Sequence, residues 1–111
     1  MPRLPIRFPD LVIAIGETAS NEIESDFAHG QNIDYTIYAP ATLPETVTVQ
    51  MSPVNSPAAG DWVDIQKDGT DVTLTAGKGT LFSGMCKALR LSSGATAAER
   101  TFRLIGQVEA V

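Results

Sequence analysis

Apolar and polar side chains alternate with a period of two along most of the chain. This is the pattern of a strand with one buried face, because successive strand side chains point to opposite sides. Ile33-Asp34-Tyr35-Thr36-Ile37-Tyr38-Ala39 sets Ile33, Tyr35 and Ile37 on one face. Thr46-Val47-Thr48-Val49-Gln50-Met51-Ser52 sets Val47, Val49 and Met51 inward, with Thr48 and Gln50 outward. The stretches 71–75, 87–91 and 101–105 repeat the theme, and Trp62-Val63-Asp64-Ile65 predicts a further strand. Leu11 to Ile15 is apolar at every position and is expected to be a central or doubly covered strand.

The punctuation between these runs agrees. Pro40 and Pro44 bracket one connection, Pro53, Pro57 and Gly60 mark a loop over 52–60, and Ser92-Ser93-Gly94 opens another. Asp68-Gly69 has the residues of a tight hairpin turn, where a positive φ costs least, and Gly77-Lys78-Gly79 predicts a second turn. No long stretch shows helical periodicity; residues 17–27 come closest, but Ser20-Asn21 and Ser25-Asp26 are turn formers. Short strands at spacings of roughly ten residues predict an all-β fold, a single small antiparallel β-sandwich or jelly roll. Pro2, Pro5 and Pro9 alternate with Leu4, Ile6 and Phe8, which holds the chain extended and removes backbone donors. The domain division expected is therefore an extended N-terminal arm over 1–10 and a sandwich over 11–111. The arm has three readings: an edge segment folded over its own sandwich, an arm whose apolar side chains dock on a neighbouring subunit, or a plain disordered tail.

Composition narrows the function classes. The 111 residues suit one domain, and 43% hydrophobic with 19% charged residues is an ordinary globular mixture. Eight Lys and Arg stand against 13 Asp and Glu, a net charge of −5, which argues against nucleic acid or an anionic membrane as the main partner. A single cysteine and a single histidine leave no disulfide framework, multi-cysteine zinc pattern or histidine-rich metal site within one chain. The apolar run 11–15 is too short for a signal-peptide core or a membrane span, so synthesis in the cytoplasm is expected.

Candidate chemistry is sparse. His29 sits in a loop-like context, Cys86 in a strand-forming region reads as a small buried hydrophobe, and Ser83-Gly84 lacks a nucleophile elbow. Gly77-Lys78-Gly79 lacks the Ser or Thr and the upstream glycine of a phosphate loop. Asp61, Asp64, Asp68 and Asp71 cluster around Trp62 without the spacing of a calcium loop, and read as solvated hairpin carboxylates. The expectation is no catalytic residue, no cofactor and no metal. Tyr35 shares the Ile33 and Ile37 face and belongs to the core, while Tyr38 and Trp62 are candidates for stacking on a glycan. Thr36, Thr46, Thr48, Thr73, Thr75, Thr80 and Thr101 are expected on the outward faces with few charges beside them, a surface suited to packing against another protein.

Five segments carry a resemblance: Ala39-Pro40-Ala41-Thr42-Leu43-Pro44-Glu45-Thr46-Val47-Thr48-Val49-Gln50, then Trp62-Val63-Asp64-Ile65-Gln66, then Ala76-Gly77-Lys78-Gly79, Ala88-Leu89-Arg90-Leu91 and Glu99-Arg100-Thr101-Phe102-Arg103-Leu104. Over residues 33–106 the chain resembles small all-β virion structural proteins of tailed bacteriophages, in texture of strand and turn. The resemblance implies capsid decoration (cement): a non-enzymatic protein of the virion that binds and reinforces the shell of major capsid protein, often as a trimer. Leu4, Ile6 and Phe8 of the arm, then Pro53, Val54 and Pro57 of the loop, are the expected partner contacts. The competing readings are a tail, neck or baseplate component and a glycan-binding sandwich using Tyr38, Trp62 and the aspartates.

Overall fold

The computed structural model describes residues 3–24, 33–84 and 86–109, without the side chains of 3, 4, 108 and 109. Among the described residues the strands are β1 (Arg3–Arg7), β2 (Leu11–Ile13), β3 (Ile23–Glu24), β4 (Ile33–Tyr38), β5 (Val47–Ser52), β6 (Val63–Asp64), β7 (Gln66–Lys67), β8 (Thr70–Asp71), β9 (Thr73–Leu74), β10 (Gly79–Gly84), β11 (Ala88–Ser93) and β12 (Arg100–Glu109). One 3-10 turn, Ala59–Asp61, is the helical element among them. Every pairing is antiparallel. The molecule is an all-β sandwich, as the alternation predicts.

The first sheet runs β1-β12-β4-β10 with β2 also on β12, and the second runs β3-β11-β5-β6 with β9 also on β5. The pairing is nested: β1 and β2 lie on β12, β3 on β11, β4 on β10 and β5 on β6 and β9. The chain is thus one long hairpin, rolled so that its successive strand pairs fall alternately into the two sheets. Burial follows the alternation. Ile33, Tyr35 and Ile37 of β4, Val47, Val49 and Met51 of β5, Leu89 and Leu91 of β11, and Phe102 and Leu104 of β12 all face the core. Asp68 and Gly69, at φ 56° and 80°, make the tight hairpin turn between β7 and β8.

The N-terminal segment is part of the first sheet. Arg3 to Arg7 pair with Glu109 to Ile105, so the proline-spaced stretch is an edge strand of its own sandwich. Register is regained at Leu11 opposite Phe102, which leaves Phe8, Pro9 and Asp10 facing only Arg103 and Leu104. The surplus residue is a bulge, a place where proline is tolerated because the ladder is already interrupted. The β2 expectation needs correction. Leu11 to Ile15 is not a central strand: β2 has one ladder partner, Leu11 and Ile13 are buried, Val12 is half-buried and Ile15 is exposed. Its outer edge is closed by Asn21, whose Oδ1 accepts from Val12 N at 2.7 Å while Nδ2 donates to the Asp10 carbonyl at 3.1 Å. A side-chain amide carries one donor and one acceptor, as a peptide group does, so it can stand in for a missing strand.

Two further expectations change. Strand β10 is an element that the sequence pattern does not predict, since Gly77-Lys78-Gly79 reads as a turn and only Phe82 among its large residues faces inward. Its register also moves Thr80 off the outward face, because Thr80 pairs with the inward Ile37.

Candidate functional site

Two of the residues expected to touch a partner, Ile6 and Phe8, are used first by the molecule itself. Ile6 packs against the core. It sits opposite Gly106, where an added Cβ would lie 2.9 Å from the Phe8 ring and 3.1 Å from Ile33. The absent side chain at 106 is what lets the Phe8 ring lie inward, its centroid 6.0 Å from that of Tyr35, which stacks in turn on Phe82 at 5.3 Å. The side chain of Leu4, and His29, lie outside the described residues. In the loop, Pro53 and Val54 are exposed and Pro57 is half-buried. The loop is tied down at both ends: Ser52 Oγ accepts from Val54 N, Glu24 Oε1 accepts from Ser56 N, and Asp61 Oδ2 accepts from Ala58 N at 2.8 Å.

The candidate catalytic groups do not converge. Cys86 is buried, its Sγ 3.8 Å from the Tyr35 hydroxyl, and burial pushes its thiol pKa up, away from the reactive thiolate. Burial likewise drives the Tyr35 phenol well above its ordinary range. The aspartates are dispersed among separate tasks. Asp64 Oδ1 accepts from Gln50, Asp71 Oδ1 accepts from Gln66, and Asp61 holds the loop. Among the described residues no three His, Cys, Asp or Glu side chains gather as metal ligands would.

Trp62 is corrected as a glycan platform. Asp64 pairs with the outward Gln50, and alternation puts Trp62 on the same outer face of the second sheet. Yet the indole is only 8% exposed, with the Arg90 guanidinium 4.5 Å above its ring. Arg90 Nε donates to Gln50 Oε1 at 2.8 Å and Gln50 Nε2 donates to Asp64 Oδ1 at 2.9 Å, which fixes the guanidinium over the indole. A sugar would have to displace a cation held by a chain of hydrogen bonds.

The outer face of the first sheet is open. Cross-strand register lines up Leu81, Thr36, Ile105 and Arg7 in one row, and Gly79, Tyr38 and Arg103 in the next. Leu81 is 57% and Tyr38 49% exposed, large values for apolar bodies on a sheet face. The Tyr38 ring lies across Gly79, whose missing side chain leaves 3.2 Å to the ring from where a Cβ would stand. Tyr38, Ile105 and Arg103 also line a shallow groove of about 460 Å³ with Pro40, Thr101 and Asp10. Tyrosine and arginine beside aliphatic surface is the residue mixture that anchors protein interfaces.

Comparison of the chain with known protein families, with curated proteins and with solved structures finds no match.

Proposed function

We propose that this protein is a non-enzymatic binding module of a virion, a capsid decoration protein that docks on the major capsid protein and reinforces the shell. The observation that carries the reading is the outer face of the first sheet, where exposed Tyr38 and Leu81 stand in neighbouring rows with half-buried Ile105 and with Arg103. A protein surface is the partner for which such a face is suited: it buries aliphatic and aromatic area without needing a pocket. The nested strand pairing adds support, since it is compatible with a jelly roll, an architecture used by viral capsid and lectin domains alike. The strand-and-turn resemblance over 33–106 supplies the virion context. Binding to assembled shells and not to unfolded capsid protein would stabilise the lattice by mass action.

The test is co-sedimentation with shells assembled from the major capsid protein of the same virion. The native chain should pellet with the shells, and the double substitution Tyr38→Ser with Ile105→Thr should leave it in the supernatant while circular dichroism stays unchanged. If the native chain never pellets, the decoration reading fails; if the variant pellets equally, the outer face is not the contact.

A further inference from the structure

A sheet edge exposes unpaired N–H and C=O groups, and native proteins ordinarily protect it with proline, charge, a bulge or brevity. The described edges here can be compared one by one. Strand β1 contains Pro5 and runs into the Pro9 bulge, and β2 is closed by the Asn21 amide. Strand β3 is two residues long. The edge beside β5 is broken into the two-residue pieces β6 and β9 by the β7–β8 hairpin. Strand β10 has none of these devices. It runs six residues, Gly79-Thr80-Leu81-Phe82-Ser83-Gly84, with no proline and no charge, and among the described residues β4 is its one ladder partner.

What lies beside that edge is a cleft. The β7–β8 hairpin stands away from β5 and faces β10 across two adjoining hollows of about 450 and 240 Å³. Leu81, Val72 and Lys67 line both hollows; Thr80 belongs to the first, and Phe82 and Ile65 to the second. Two hairpin carboxylates, Asp68 and Asp71, stand on these walls against one amine, Lys67. We infer that this cleft takes an extended, basic segment of another polypeptide, which adds to β10 as a further strand with its positive side chains toward the hairpin aspartates. Backbone hydrogen bonds along β10 supply the affinity, and the carboxylates choose the sequence. A second copy of this chain fits poorly. Pairing β10 with its equivalent would bring two hairpins, each with Asp68 and Asp71, to one edge, like charge against like. The inference rests on the reading of the chain as a protein-binding module, but not on the partner being a capsid protein.

The test uses the full chain, isotope-labelled for amide spectra, and two end-blocked six-residue probes: one alternating lysine and valine, the other alternating glutamate and valine. The lysine probe should shift amides confined to residues 66–73 and 79–84 and slow hydrogen exchange in β10; the glutamate probe should do neither. The substitutions Asp68→Asn and Asp71→Asn keep the turn residue type and the Gln66 acceptor, and together should weaken the lysine probe about threefold or more at low salt. Silence from the lysine probe, an equal response to the glutamate probe, or shifts mapping elsewhere overturns the inference. So does a concentration-dependent shift of β10 amides with no probe present, which is the signature of self-pairing. Shell binding by the native chain, measured beside these, separates the two readings: pelleting without probe binding defeats the cleft alone.

Discussion

The two sheets of the sandwich are built alike inside and finished differently outside. On the second sheet an outward tryptophan is roofed by Arg90, and Arg90 is locked through Gln50 to Asp64. On the first sheet an outward tyrosine has a glycine beneath it and solvent above. Both rings obey the same strand alternation, so the fold did not require the difference. The molecule thus hides one aromatic under a cation and leaves another exposed beside Leu81, so its two outer faces differ in what they offer to solvent. The comparison is of use only if the two sheets contribute equally where they should and unequally where they should not.

The core is where they should be equal. Phe102 of the first sheet and Leu91 of the second are both fully buried. Phe102→Ala should cost about 3–5 kcal/mol and Leu91→Ala about 2–5 kcal/mol in urea unfolding, the range for emptying packed interiors. A loss below about 1 kcal/mol for either would mean that one sheet is loosely joined to the other, and the contrast between their outer faces would lose its meaning. Outside, the losses should diverge. Arg90→Ala removes a cation over an indole and a side-chain hydrogen bond, about 1–2 kcal/mol together, and should shift Trp62 emission to the red as water reaches the ring. Ile105→Thr, on the open face, should leave the unfolding midpoint nearly unchanged and act on binding instead. If Ile105→Thr destabilises as much as Arg90→Ala, the first sheet's face is structural after all.

Much of the architecture is readable from alternation alone: β4 and β12 carry their buried residues at every second position, and β5 and β11 depart from it only where Ser52 and Ala88 are buried as well. So is the Asp68-Gly69 turn, because its φ values of 56° and 80° demand residues of that type. What alternation cannot say is which elements lie at an edge. Leu11 to Ile15 looks central because it is apolar throughout, but Asn21, far along the chain, closes its free side. Strand β10 escapes notice because its larger aliphatic residue, Leu81, points outward and glycines bound it. Alternation also tells that Ile6 and Phe8 share a face without telling what covers it. The sequence clue to the answer is Gly106: a residue without a side chain inside β12 makes room for a ring, and Phe8 is the ring that fills it. The same limit hid the cover on Trp62, whose roof comes from Arg90 on a strand distant in sequence.

A pH-dependent effect lies at the seam between the sheets. Glu45, on the connection from β4 to β5, meets Arg100 at the start of β12: Arg100 Nε donates to Oε1 at 3.0 Å and a second guanidinium nitrogen donates to Oε2 at 3.2 Å. Both side chains are about nine-tenths covered, at 10% and 11% exposure. The Arg100 hydrogen bonds hold the Glu45 carboxyl below its ordinary pKa of 4.5. A carboxylate depressed in the folded state stabilises fully above its unfolded pKa, and that contribution fades as the pH falls through the folded value. The urea midpoint of the native chain should therefore drop on acidification below the ordinary glutamate range, and Glu45→Gln should drop less steeply there while starting from a lower midpoint at neutral pH. Parallel acid limbs would show that this ion pair does not couple the sheets. The sheets would then be held together by the single core they share, to which β4 and β12 of the first and β5 and β11 of the second all contribute.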